Sequence, residues 1–157
     1  MIKNNEHNRL EAYDFEKRVG LYLSKRYNTN FKEKALTVGK NKEHKFDLVS
    51  DDNSIIAECK SYTWTKGNNF PSAKISTIIE AIFYFSRIKA DKKIIVIQDS
   101  FNDKGESLVD VFLKRYDGIL DDIEVWAYYV GNTLNDDVVK VKREKNEIWY
   151  EKMYKNC

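Results

Sequence analysis

The chain is poor in the residues that punctuate or crosslink a fold. Its 157 residues include a single proline, and its six glycines do not gather into a linker. With no repeats and no low-complexity tract, the expectation is one domain spanning residues 1–157, a normal size for one buried core. Its core is expected over about residues 9–130, with 131–157 as a peripheral C-terminal segment. The two cysteines, Cys59 and Cys157, make no disulfide framework. With no Cys-x-x-Cys pair and only His7 and His44, a structural zinc site is not expected. The apolar runs are too short to cross a bilayer. The polar start, Met1 to Glu6, lacks the apolar core of a secretory signal, so a cytoplasmic protein without a membrane partner is expected. An excess of one charge is also missing: 27 Lys and Arg face 25 Asp and Glu, a net charge of +2. Nucleic-acid binding would therefore need local basic clusters. Candidates are Lys40, Lys42 and Lys45, then Lys66 and Lys74, then Lys140, Lys142, Arg143 and Lys145.

What is present is an alternation of helical and strand patterns. Residues from about Asn8 to Tyr27 read as a helix, with Ala12, Val19 and Leu23 on one face. Glu16 falls on that same stripe, where an acidic group is costly unless something pairs with it or it reaches water at the edge. Phe31 to Val38, Lys45 to Ser50 and Ser54 to Tyr62 read as three strands joined by short turns, hence an antiparallel meander. Pro71 suits the first turn of a helix over Ser72 to Lys89. Lys93 to Gln98 then reads as a buried strand reached by a parallel crossover. A helix over Glu106 to Tyr116 and a strand over Ile123 to Val130 follow. Val139 and Val141 alternate with lysines like an edge strand, and Ile148 to Tyr154 fits a strand or a short helix. The fold class is α/β, a mixed sheet flanked by helices.

One strand carries an oddity. Side chains alternate between faces, so Ile56, Glu58 and Lys60 share one side of the third strand and Ile55, Ala57 and Cys59 the other. Asp47, on the preceding strand, is a cross-strand neighbour of Glu58 if the two strands form a hairpin. Two facing carboxylates repel unless a cation lies between them. Mg2+ or Mn2+ suits such a pair, with the Cys59 carbonyl placed to join them. Lys60 can reach the same centre to orient a water, act as a base or stabilise charge on a phosphate. The acid-x-lysine pattern also occurs at Glu43-His44-Lys45 and Asp91-Lys92-Lys93; only Glu58-Cys59-Lys60 follows an apolar strand with an acid on the adjacent one. The bland alternative is a strand-end salt bridge.

Phe46-Asp47, ten further residues and Glu58-Cys59-Lys60 resemble the motif of the PD-(D/E)xK nuclease superfamily, over roughly residues 9–98. The proline of that motif is Phe46 here, a position without a chemical role. The resemblance implies a restriction endonuclease-like core: a helix, a three-strand meander, a helix and a further strand. It implies that Asp47 and Glu58 bind a metal, that Glu16 on the first helix helps hold it, and that Lys60 acts on the water. The activity implied is that of a Mg2+- or Mn2+-dependent deoxyribonuclease, in particular an endonuclease. The alternative is an inactive nucleic-acid-binding or scaffold module on the same fold. DNA is the expected partner, met as a homodimer or with a partner subunit. Lys42, Lys45, Tyr62, Trp64, Lys66 and Lys74 are the candidates for touching it, by phosphate contact or base stacking. The bland readings are a solvated surface for the lysines and a core cap for Trp64.

Overall fold

The computed structural model describes residues 9–116, 118–143 and 147–152, with 67, 143 and 147–152 described by their backbone alone. Seven strands form one mixed sheet in which spatial order follows chain order. They are β1 (Phe31–Gly39), β2 (Lys42–Ser50), β3 (Ile55–Lys60), β4 (Lys92–Gln98), β5 (Glu124–Tyr129), β6 (Val138–Arg143) and β7 (Glu147–Lys152). β1, β2 and β3 form an antiparallel meander. β4 and β5 join it in parallel, and β6 and β7 close the series antiparallel. Parallel neighbours need long connections, and helices supply both: α2 (Ser72–Phe85) between β3 and β4, and α3 (Leu108–Tyr116) between β4 and β5. α1 (Ala12–Tyr27) precedes the sheet.

The sheet separates two apolar layers. On one face, Phe15, Val19, Tyr22 and Leu23 of α1 pack against Leu48, Ala57, Ile94, Val96 and Trp126. On the other, Ile75, Ile78, Ile82 and Phe85 of α2 and Val109 and Phe112 of α3 cover Phe46, Ile56, Ile95 and Ile97. The central strands β4 and β5 are buried on both sides, which explains their unbroken runs of Ile, Val and aromatic residues.

Several expected boundaries and faces move for physical reasons. α1 starts at Ala12, and Ala12 is exposed; its buried stripe is set by Phe15 and Tyr22 beside Val19 and Leu23. Ahead of it, Leu10 is held by the Gln98 amide, which accepts from the Leu10 N–H and donates to its carbonyl, both at 2.9 Å. α2 ends at Phe85 rather than Lys89, because the Ser86 N–H turns back to the carbonyls of Ile82, Phe83 and Tyr84. α3 starts at Leu108 rather than Glu106. There Ser107 Oγ accepts from the Asp110 N–H at 3.2 Å, and the buried Asp99 accepts from Ser107 Oγ at 2.5 Å and the Val109 N–H at 3.0 Å. β6 is not the sheet's edge, since β7 pairs outside it, and Val139 and Val141 are core residues on the α1 face. The strand reading of Ile148 onward holds to Lys152; Met153 and Tyr154 lie outside the described residues. Among the described residues, no helix is long and apolar enough to cross a membrane.

α1 is fixed in place by an ion pair between the half-buried Arg18 and the fully buried Asp137. Arg18 donates to Asp137 through Nε at 2.7 Å and through a terminal nitrogen at 2.9 Å. Asp137 also accepts from the Tyr128 hydroxyl and from the Gly131 N–H at 2.7 Å. Farther along α1, Gly20 allows a close approach to β2: a Cβ there would lie 3.2 Å from a Leu48 methyl. Together these contacts hold Glu16 over the start of the meander.

Candidate active site

The meander is irregular where the acidic residues lie. Between Lys32↔Val49 and Lys34↔Phe46, the single residue Glu33 faces both Asp47 and Leu48, which is a β-bulge. Phe46 and Val49 consequently point to the α2 face, while Leu48 packs on the α1 side and Asp47 lines a cleft there with Glu16 and Glu33. On its other edge, β2 pairs with β3 only at Leu48↔Ala57 and Val49↔Ile56. The ladder stops one step short of Asp47 and Glu58, and the strands fork. Asp47 fills the fork, its Oδ2 accepting the Cys59 N–H at 2.8 Å.

Glu58 stands on the α2 side of this fork, 4% exposed. The expected arrangement, two carboxylates facing each other across a regular pair, is thus modified by the bulge: Asp47 approaches the Glu58-Cys59 segment from the α1-side cleft. The two carboxyls still interact strongly. Burial pushes Glu58 well above the usual carboxylate range, and contact with Asp47 adds to the rise while Lys60 opposes it. Glu16, across the cleft, is raised to about 7, first by burial, then by repulsion from Asp47 and Glu33. The Cys59 thiol is pushed up by burial and then by Asp47, Glu16 and Glu58. Glu16, Asp47, Glu58, Cys59 and Lys60 therefore converge on one fork.

His44 completes the constellation, and sequence reasoning missed it. Its Nε2 lies 3.0 Å from Glu58 Oε1. The ring stacks on Tyr84 of α2 at 4.0 Å and meets Phe46 edge-on at 4.7 Å. Burial holds the imidazole below its ordinary range, against the opposing pull of Glu80 and Asp47. A neutral imidazole that donates Nε2–H to Glu58 leaves the second carboxylate oxygen for other partners. Strand alternation was the available signal: His44 and Phe46 are two residues apart and share a face.

A divalent cation has a mixed fit to this site. Among the described residues, no group of three or more His, Cys, Asp or Glu side chains is spaced to hold a metal ion. The donor chemistry nonetheless suits a hard cation at two carboxylates, since Asp47 opposes the charging of the buried Glu58 and a cation would favour it. Glu16 faces Asp47 across the α1-side cleft.

The residues expected to touch nucleic acid divide into groups. Lys42 is exposed and close enough to His44 to lower its proton affinity. Lys45 lies on the opposite side of β2, 3.7 Å from Glu33, with both side chains largely exposed. Tyr62 is half-buried, bonds through its hydroxyl to Thr77 of α2, and has Lys74 Nζ 6.0 Å from its ring centre. Trp64 belongs to a separate cleft, its indole N–H donating to the Ser100 carbonyl at 3.1 Å. Lys66 is exposed in the short turn that follows. Of the C-terminal basic cluster, Lys142 is buried and paired with Asp110, so it adds nothing to an exposed patch. Lys145 lies outside the described residues.

Compared with protein-family models, with curated proteins and with solved structures, the chain matches none of them.

Proposed function

We propose that this chain is a Mg2+- or Mn2+-dependent deoxyribonuclease with a restriction endonuclease-like core, hydrolysing DNA phosphodiesters at the fork between β2 and β3. The observation that supports the reading is the position of Asp47, seated in the fork against the Glu58-Cys59 segment and sharing a cleft with Glu16, where its charge opposes the ionisation of both. Lys60 lies beside Glu58 and acts on it electrostatically. A salt bridge at a strand end needs neither Asp47 nor Glu16, whereas the PD-(D/E)xK motif needs Asp47, and the resemblance gives Glu16 a role beside it.

In this reading Asp47 and Glu58 hold the cation, with the Cys59 carbonyl and Glu16 completing the protein's share. When bound, the ion polarises the phosphate and makes its water more acidic. Asp47 is oriented by the Cys59 N–H and Glu58 by His44. Lys60 orients the attacking water. The water oxygen forms a bond to phosphorus as the bond from phosphorus to the leaving sugar oxygen breaks. The water gives up its proton to solvent, with Lys60 Nζ holding the attacking oxygen by hydrogen bonding, and the leaving sugar oxygen takes a proton from solvent. Lys42, whose charge reaches His44, is assigned to the DNA backbone, as are Tyr62 and Lys74, which lie together at the start of α2; Lys45 serves from the α1 side of β2.

The test is cleavage of supercoiled plasmid, linear duplex, single-stranded DNA and a four-way junction, in Mg2+, in Mn2+ and in chelator. Metal-dependent cutting by the wild type that is lost in Glu58→Ala upholds the proposal. Binding of these substrates without cutting in either metal points instead to an inactive module.

A further inference from the structure

A second cleft opens at the carboxyl ends of β3 and β4. In open α/β sheets this end is where ligands are commonly bound. Its volume is roughly 450 Å³, and its walls include Trp64 and Phe70 from the loop after β3, Asn102, Lys104 and Glu106 from the loop after β4, and Arg115 from α3. The walls are braced. The Trp64 indole is tied to the Ser100 carbonyl, and Asn68 bonds to Asp103 through both its side-chain amide atoms, at 3.2 and 3.0 Å. Trp64 meets Phe70 edge-on at 6.0 Å, and the Arg115 guanidinium lies over the Phe70 ring at 4.4 Å.

This combination suits an unpaired nucleotide. Arg115 is held by an aromatic ring rather than a carboxylate, so its N–H donors are available to an anion. Neither Arg115 nor Lys104 takes part in an ion pair among the described residues, and both are exposed. The one carboxylate in the lining, Glu106, accepts from Asn102 Nδ2 at 2.9 Å, and an exocyclic amino group of a base is a second donor for it. Trp64 supplies a ring for stacking, which tolerates any base because every base has a π-face. A paired base in a duplex presents no such face, and a cleft of this size has no room for two stacked strands.

We infer that this cleft holds one unstacked nucleotide of a single-stranded DNA segment, its base against Trp64 and its phosphate on Arg115 and Lys104. The choice of DNA rests on the nuclease proposed for the neighbouring fork; only three residues separate Lys60 from Trp64. The substrate would then be DNA with an unpaired flank, such as an overhang, a fork or a bubble.

The test is fluorescence anisotropy of a labelled oligodeoxythymidine and of a blunt duplex of equal length, with the wild-type protein in chelator so that nothing is cut. The strand is expected to bind more tightly than the duplex. Trp64→Ala is expected to weaken strand binding roughly tenfold or more. Because Trp64 also packs on the core, the exposed variants Arg115→Ala and Lys104→Ala carry the decision. Each should weaken strand binding and flatten its dependence on the logarithm of salt concentration by about 0.7. Equal binding of strand and duplex, no binding of the strand, or strand binding unchanged in both exposed variants would overturn the inference. The fork is judged separately: a protein that binds the strand yet cuts nothing upholds the cleft and sinks the nuclease. One that cuts duplex DNA while ignoring the strand does the reverse.

Discussion

Replacing Glu16 by Gln should stabilise the metal-free protein, although it removes a residue assigned to the site. In the folded chain Glu16 holds its proton up to about 7, against an ordinary value of 4.5, because it is partly buried and faces Asp47 and Glu33. A carboxyl whose folded affinity for protons exceeds its unfolded one costs nothing below its ordinary value. Its cost grows as pH rises from 4.5 towards 7 and is complete above that. At about 1.4 kcal/mol for each tenfold change in acidity, the full cost before screening is about 3.5 kcal/mol. Glu16 is only partly buried, and solvent screening reduces this to about 1–2 kcal/mol. Urea unfolding in chelator should therefore show Glu16→Gln more stable than wild type by that amount at about pH 8, with the difference vanishing near pH 4. Saturating Mn2+ should reverse the order, since a bound cation stabilises the carboxylate and not the amide. A gain of equal size at both pH values would refute the electrostatic reasoning. So would a loss of stability at the higher pH in chelator.

Other contacts predict equally definite outcomes. Asp137→Asn leaves Arg18 facing an uncharged partner in a buried network and should cost about 3–5 kcal/mol in urea unfolding; a cost below about 1 kcal/mol, the worth of an exposed pair, would contradict the anchoring of α1. His44→Ala should weaken the Mn2+-dependent rise in melting temperature as though affinity had fallen about tenfold or more, while His44→Gln, which keeps a donor, recovers part of it. An unchanged Mn2+ titration in His44→Ala would remove His44 from the site.

The fold was largely legible because its signals were strong. Short turns required the antiparallel meander, and Ile-rich β4 required cover on both faces, which α2 and α3 together with α1 provide. The errors fall where local pattern competes with tertiary contact. Ala12 fits the helical stripe by spacing, yet Phe15 and Tyr22 take the core because their rings reach the sheet and a methyl does not. Lys142 reads as part of a basic surface, yet it is buried and paired with Asp110, a partner on α3 that no local pattern reveals. At the site, spacing alone brought Asp47, Glu58 and Lys60 together, because a hairpin makes them neighbours whatever its details. The bulge at Glu33 was invisible, since no glycine or proline marks it. In the sequence His44 is a lone histidine on a strand, which is ordinary; only its partners, Glu58 and the Tyr84 ring, give it meaning.

The proposed mechanism gives Asp47 and Glu58 the cation and Lys60 the attacking water. Single-turnover cleavage of plasmid DNA in Mn2+, run beside a Mn2+ titration of wild type, Glu58→Ala and Lys60→Ala, tests that division most directly. The account predicts that Glu58→Ala loses both metal binding and cleavage. Lys60→Ala should keep metal binding and lose about 100- to 10,000-fold in rate. Cleavage by Lys60→Ala at the wild-type rate, or full metal binding by Glu58→Ala, would contradict it.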